Sequence, residues 1–441
     1  MLNMLKLLLV SQAIFLGLTP TAFAQTDAAK KVSEKEDPVK KTDVKKAAKK
    51  KRNVIKEPED EAPAVEKTVI EPNVLYRMGA LKPIKESVYH KEDHGDFADQ
   101  LYLTLKYSKT YNYIHRVHLE PSFRTIRNNP ASWEDYVIEQ AFIETEIFTP
   151  LLVTAGKKTE YEGSGFIVSP SDLLNENKDI YDPVYQSEGV EFTRFKLRLS
   201  TFTLGVGLIP RRGRPSNEGK FWSQFSTDLL ETDIRIQHTS HQTEKSTTGL
   251  SMQRFFGGSF EMHFDGRYQT RQRSPDTPGN AYVRSSTYTG ADKENPKDDL
   301  ASGYYLGGTR LIFTPRRTLV MEYISNQSGL LPDEFEVYYA DLRADTDRTS
   351  NVKDPPTKLL GRHYGFVSYQ DDDSIKSTHL AVNFLVNTDD QSSFVSSAVR
   401  HYITPITSIE LAPTIFKGEP NTEFGEMPFA HAVYLVLRGR F

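Results

Sequence analysis

Cysteine is absent from the 441 residues. Disulfides, thiolate nucleophiles, cysteine-ligated metals and cysteine-borne lipid anchors therefore drop out at once. Long apolar runs are almost missing as well. Only 38% of the chain is hydrophobic and the mean hydropathy is −0.52, whereas each helix of a membrane bundle needs about 20 consecutive apolar residues. Tryptophan is scarce, with 2 residues beside 22 Tyr and 25 Phe. The net charge of −4 favours no class of partner. Low hydropathy leaves one membrane architecture open, the β-barrel, in which only alternate residues of each strand meet lipid.

The one sustained apolar run lies at the start. Lys6 precedes an apolar core over residues 7–18, then Pro20 and Ala22-Phe23-Ala24. This is the pattern of a secretory signal peptide over residues 1–24, cut before Gln25. Residues 25–72 are dominated by Lys, Glu, Asp, Ala and Pro, which bury too little apolar surface to offset the entropy of ordering, so a disordered periplasmic linker is predicted. Its charge is segregated: a basic run from Lys40 to Arg52 precedes Glu57, Glu59, Asp60 and Glu61. Such a run suits a tether to anionic cell-wall polymer, and the plainer reading is a solvated spacer. Residues 73–98 read either as a first strand or as a plug segment.

From Asp99 onward, segments of about ten residues alternate apolar and polar side chains, with turn signals between them. Leu101, Leu103, Leu105 and Tyr107 alternate with Tyr102, Thr104 and Lys106; Phe195, Leu197 and Leu199 alternate with Arg194, Lys196 and Arg198. Phe260, Met262 and Phe264 alternate with Glu261, His263 and Asp265 in the same way. No helical period appears that would cover the apolar faces, so lipid is the simplest cover for them. The chain then ends on Val433, Leu435 and Leu437 along one face and a terminal Phe441. A closing aromatic on an alternating strand resembles the assembly signal of bacterial outer-membrane barrels, which the barrel-insertion machinery reads.

The expected fold is thus all-β, a transmembrane antiparallel barrel over residues 99–441. Short links fall near Lys109–Asn112, Thr149-Pro150, Ser200-Thr201, Gly257-Gly258, Pro315–Arg317, Gln370–Asp373 and Thr404–Thr407. Long polar loops run over Glu160–Gly189, Arg211–Lys220, Ser274–Ala301, Gly329–Leu359 and Gly418–Met427. Short turns are periplasmic and long loops extracellular in such barrels. About seventeen crossings can be counted, and an even barrel needs one more, with Val69–Met78 a candidate, which gives roughly 16 to 18 strands. A barrel of that size leaves an aqueous channel.

Three stretches carry a family resemblance. They are Ile138–Glu144 with Val153-Thr-Ala-Gly-Lys-Lys158, Met321–Gly329 with Leu360–Tyr364, and Thr422–Pro428 leading into the last strand. Together they resemble bacterial outer-membrane porins of the substrate-specific and alginate-export-like group. Lys158 stands where that pattern expects Gln. The resemblance implies passive diffusion of small hydrophilic solutes, anionic ones included, across the outer membrane of a Gram-negative bacterium, with no cofactor. It also implies that the loop after Lys158 folds into the lumen as a constriction carrying Glu160, Glu162, Asp172, Glu176, Asp179, Asp182 and Glu188. The facing basic wall would be Arg124, Lys157, Arg194, Lys196, Arg198, Arg267 and Arg271. Opposed acidic and basic rings would set a transverse field across the pore. Homo-oligomers are compatible by analogy. A structural barrel tethered to the cell wall through Lys40–Arg52 is the alternative.

Enzyme-like patterns carry little. His115 and His118, near Glu120, fall on opposite strand faces, and His238 with His241 and Asp233 lacks metal spacing. Asp371-Asp-Asp373 reads as a turn rather than a calcium loop. Gly163-Ser-Gly165 lacks the strand–turn–helix setting of a nucleophile elbow. Arg211-Arg-Gly-Arg214, in an outer loop, suits lipopolysaccharide better than nucleic acid. No enzyme and no nucleic-acid partner is expected.

Overall fold

The computed structural model describes residues 68–83, 87, 97–112, 114–128, 131–174, 189–210, 219–240, 246–269, 302–344, 359–372 and 374–441. The signal-peptide assignment, the linker up to Lys67, Glu176, Asp179, Asp182, Glu188, Arg271 and Arg211–Arg214 lie outside them.

Eighteen strands form one closed antiparallel sheet. In chain order they are β1 (Thr68–Pro83), β2 (Phe97–Tyr111), β3 (His115–Asn128), β4 (Ala131–Phe148), β5 (Leu151–Lys158) and β6 (Val190–Arg198). Then come β7 (Phe202–Ile209), β8 (Lys220–Leu229), β9 (Thr232–Ser240), β10 (Thr247–Phe256), β11 (Phe260–Gln269) and β12 (Ser302–Thr314). The circuit finishes with β13 (Arg317–Asn326), β14 (His363–Asp371), β15 (Thr378–Asn387), β16 (Ser393–Thr404), β17 (Thr407–Lys417) and β18 (Phe429–Arg440). Each strand pairs with its neighbours in sequence, and β1 closes the ring on β18 from Asn73 opposite Arg440 to Pro83 opposite Phe429. The strand required upstream of Asp99 is therefore β1. It begins at Thr68, inside the stretch assigned to the linker, and Pro72 lies within it.

Side chains are sorted inside out. Lumen-facing Glu120 and Glu410 are 1% and 2% exposed, whereas outward Leu103 and Leu437 are 40% and 41% exposed. An apolar exterior over a polar interior is stable only where lipid replaces water around the wall. On β11 the outward row runs from Phe260 to Tyr268, roughly 27 Å along the strand at ~3.4 Å per residue. At a tilt of ~40° that is about 20 Å of membrane depth. Aromatic contacts sit toward its two ends. Phe256 packs on Phe260 near the short turns, and Tyr323 stacks on His363 near the long loops.

The short links named from the sequence, and the β8–β9 link, all fall at one end, together with both ends of the described chain, while the two-residue β3–β4 link lies at the other. At the first end the Phe441 N–H donates to the Pro72 carbonyl at 2.9 Å. Gly257 and Gly258 make one of these turns at φ of 59° and 76°, while Leu230 and Glu231 hold φ of 52° and 62° without the help of glycine. The β8–β9 turn therefore carries no glycine signal in the sequence.

The expectation that no segment has a helical period fails in the β13–β14 loop, where α1 spans Pro332–Ala344. Local signals explain it. Pro332 occupies the first turn, Asp333 and Glu334 follow, and the Glu334 carboxylate accepts the Leu331 N–H at 2.8 Å. This is one half of a capping box, with a proline where the missing N–H costs nothing. Phe335 and Tyr339 bury one face of α1 with Leu330.

Candidate functional site: a strap across the lumen wall

The chain leaves β5 at Lys158 and turns into the barrel. Residues 159–174 form a strap that touches wall strands from β6 to β13. Gly163 and Gly165 make the entry turn possible. A Cβ at Gly163 would strike Asp265 and Ser169, and one at Gly165 would strike the Val168 carbonyl oxygen. The triplet Gly163-Ser-Gly165 thus has a steric role. Gly249 on β10 does the same from the wall side, because a Cβ there would press on Ser171.

Charge holds the near end. Arg194 on β6 makes a two-pronged ion pair with Glu160 and a further contact to Glu162 at 3.2 Å. Lys158 bridges Glu144 at 2.8 Å and Glu160 at 2.9 Å. Glu162 lies deeper and accepts Gln224 of β8. Lys196 and Arg235 stand 3.7 and 3.8 Å from its carboxylate, and Arg235 also donates to its carbonyl at 2.7 Å. Behind them the Trp222 indole N–H donates to Gln237 at 3.2 Å. Burial would raise the Glu160 carboxyl, but Arg194 and Lys158 override it and hold it at about 2. At Glu162 burial wins over Lys196, Arg235 and Arg194, and its carboxyl is raised.

Two wall carboxylates hold the far end through the strap's backbone. Asp265 on β11 accepts the N–H of Ser164 at 2.8 Å and of Ser171 at 2.5 Å. Glu322 on β13 accepts Phe166 N–H at 2.7 Å and Ile167 N–H at 3.3 Å. His263, fully buried, places Nε2 at 3.0 Å from Glu322 and Nδ1 at 3.5 Å from Glu261. Each of the two side chains takes two backbone N–H groups, so the strap is fixed by its main chain as well as by its acids.

The residues singled out from sequence distribute as follows. Glu160, Glu162, Arg194 and Lys196 meet in one cluster, in direct contact rather than facing each other across open water. Asp172 is buried in the strap, where its carboxylate accepts the Leu174 N–H at 3.2 Å. Arg124 faces inward and is paired with Glu139 on the neighbouring strand. The lumen contact expected of Lys157 is made by Lys158; Lys157 is aligned with Ala141 and Glu191 on the flanking strands. Arg198 is exposed at the short-turn end of β6, and Arg267 stacks over Tyr304 at 5.5 Å. Val433, Leu435 and Leu437 share the outer face of β18, and Phe441 is exposed. Asp265, Glu322, His263, Gln224, Arg235 and Gln237 were not singled out. Each was one more polar residue of an alternating strand, and only the return path of the strap separates them from the rest.

A second set of loops packs beside the strap at the long-loop end. Phe424 and Met427 of the β17–β18 loop pack with Leu359 and strap residue Ile167. The wall there is apolar: Leu306, Val320, Ile324, Phe366, Leu385 and Phe394 face inward. No group of three or more His, Cys, Asp and Glu suited to a metal occurs among the described residues.

No protein-family model and no curated protein matches this chain. Solved structures do. The structure of Acinetobacter baumannii OccAB1 superposes with a TM-score of 0.53 at 10% identity, over 84% of this chain and 96% of that one. Pseudomonas aeruginosa OccK5 (OpdH) gives 0.52 at 8% identity, over 85% and 98%. The outer membrane protein OprD from Pseudomonas aeruginosa gives 0.51 at 6% identity, over 84% and 93%. At such identities the likeness is one of fold, and this chain has the barrel architecture of those proteins.

Proposed function

We propose that the protein is an outer-membrane channel for passive diffusion of small hydrophilic solutes, with the strap over residues 159–174 as its constriction. The observation that carries this reading is the strap itself. A closed eighteen-strand barrel has room for an aqueous lumen, and a segment pinned to the inside of its wall narrows that lumen. Arg194, Lys196 and Arg235 would tune passage through their balance with Glu160 and Glu162, with Arg267 adding positive charge farther along. The long-loop end would face outside, and Phe441 with Val433, Leu435 and Leu437 would present the assembly signal.

Liposome swelling tests this directly. Proteoliposomes in isotonic solutions of neutral, anionic and cationic solutes of graded size should swell for the smallest solutes and stop above a size limit. Swelling no faster than in protein-free liposomes for every solute would overturn the reading.

A further inference from the structure

Two prolines interrupt the lipid face of the wall within four adjacent strands. Pro72 of β1 stands opposite Leu105 of β2, and Pro121 of β3 stands opposite Ile138 of β4. A closed barrel has no edge strand, so a wall proline is tolerated only where the ladder is already broken. Pro72 lies one residue past the last β1–β18 pair, Asn73 opposite Arg440, and its carbonyl takes the Phe441 N–H. Pro121 sits at a bulge. The β3–β4 register shifts between Glu120 and Pro121, and the β2–β3 ladder skips from Thr104–Ser122 to Tyr107–Leu119. Bulges bend a strand, and a proline ring reaches less far outward than the Leu and Phe side chains around it. The outside of β1–β4 accordingly carries an open groove of about 580 Å³ along the Pro72, Leu105, Pro121, Ile138 row. Phe123 and Tyr136, with ring centroids 4.8 Å apart, stand beside that row. Leu105 and Pro121 are each six residues from the strand ends at the β2–β3 link, Tyr111 and His115. That is about 20 Å along the strand at ~3.4 Å per residue. At a tilt of ~40° it is about 16 Å of depth, inside the ~25 Å apolar band of such barrels.

We propose that this groove is a binding site for one acyl chain of a phospholipid from the leaflet at the short-turn end. Size selects the occupant. Three inter-strand steps of ~4.8 Å and two residues of strand give a footprint of about 14 by 7 Å. Each partner of a stable protein interface covers roughly 800 Å², so a second copy of the chain finds far too little surface in the groove. Charge selects the part of the lipid. Among the described residues that line the groove none is charged, and the Thr104 and Ser122 hydroxyls bond each other at 3.1 Å on the lumen face. A headgroup phosphate therefore has no partner there, whereas methylenes do. Position selects the leaflet, because the row starts at Pro72, beside Phe441 at the short-turn end. A chain lying in the groove meets apolar atoms on several sides where the flat wall offers one, so dispersion favours it there over the surrounding leaflet. The site rests on the membrane setting of the barrel and not on the channel reading.

The test uses the native protein in phosphatidylcholine vesicles that carry a trace of the same lipid with a photoreactive diazirine in mid-chain. After irradiation, adducts are mapped by peptide mass spectrometry. Phe384 on β15 is the reference, since it is 40% exposed on the outer face and also six residues from the short-turn end of its strand. Adducts on Leu103, Leu105, Pro121 and Phe123 should exceed those on Val382 and Phe384 at least fivefold. Equal labelling of the two sides of the barrel would overturn the site. Leu105→Trp fills the groove from a lipid-facing position and should bring labelling of Pro121 and Phe123 down to the reference level; labelling that stays high would contradict a seated chain. If that variant fails to fold, Val74→Phe takes its place. Leu105→Cys, in a chain that otherwise lacks cysteine, reports the competing occupant. A disulfide-linked dimer of the membrane-embedded barrel would put a second copy on the groove and overturn the proposal.

Discussion

Arg194 is the residue on which the strap's near end turns. It is buried against Glu160, Glu162 and the Trp222 ring, so truncating it takes away the main cation of Glu160 and one of three beside Glu162. Breaking a buried pair from one side costs about 3–5 kcal/mol. Arg194→Ala is expected to release the strap while leaving the barrel intact, seen as protease cleavage within residues 159–174 of a protein that keeps its heat-resistant migration. Glu160 gives the sign of the acid response. Its carboxyl is held at about 2 against an ordinary 4.5, so its stabilisation is present above 4.5 and is lost as pH falls toward 2. Trp222 fluorescence, recorded with the other tryptophan replaced by Trp133→Phe, should show that acid limb. Glu160→Gln should remove it, and a limb that survives the substitution would assign it elsewhere.

At the scale of elements, the turns show what local sequence can and cannot say. The Gly257-Gly258 turn was readable because glycine tolerates the left-handed conformation. Leu230-Glu231 takes the same conformation with side chains that resist it, so alternation alone could not place the β8–β9 link. Leu230→Asn with Glu231→Gly should stabilise the hairpin by about 1–2 kcal/mol, measured as a higher urea midpoint of unfolding in detergent or lipid. The strands themselves were legible because each must show lipid one face and the lumen the other. α1 was equally local, with Pro332, Asp333 and Glu334 at its start and Arg343 in its last turn. Those signals lie inside Gly329–Leu359, which the sequence reading took whole as a polar loop. The strap's approximate place in sequence came from a resemblance. Its fastening to Asp265 and Glu322, some 100 and 155 residues farther along, did not, because nothing local distinguishes an anchor carboxylate from any other lumen carboxylate.

For the molecule as a whole, the wall charges outside the strap are largely matched in pairs. Lys106 meets Glu120 at 3.1 Å, Arg317 meets Asp371 at 3.2 Å, and Arg438 meets Glu410 at 3.4 Å, with Arg400 on the same carboxylate. Matched charges fix lumen side chains without giving the wall a strong net sign, and in the proposed channel the strap is where an imbalance would act on an ion. The proposed channel is therefore a water-filled lumen narrowed by residues 159–174. Single-channel current in planar bilayers at pH 8, recorded for the native protein and for Glu322→Ala with Asp265→Ala, tests it most directly. The native barrel should give a stable ohmic conductance, and the double variant, with the strap's far end unfastened, a larger and noisier one. A native barrel that inserts but carries no current, or a variant with the native conductance and noise, would contradict it.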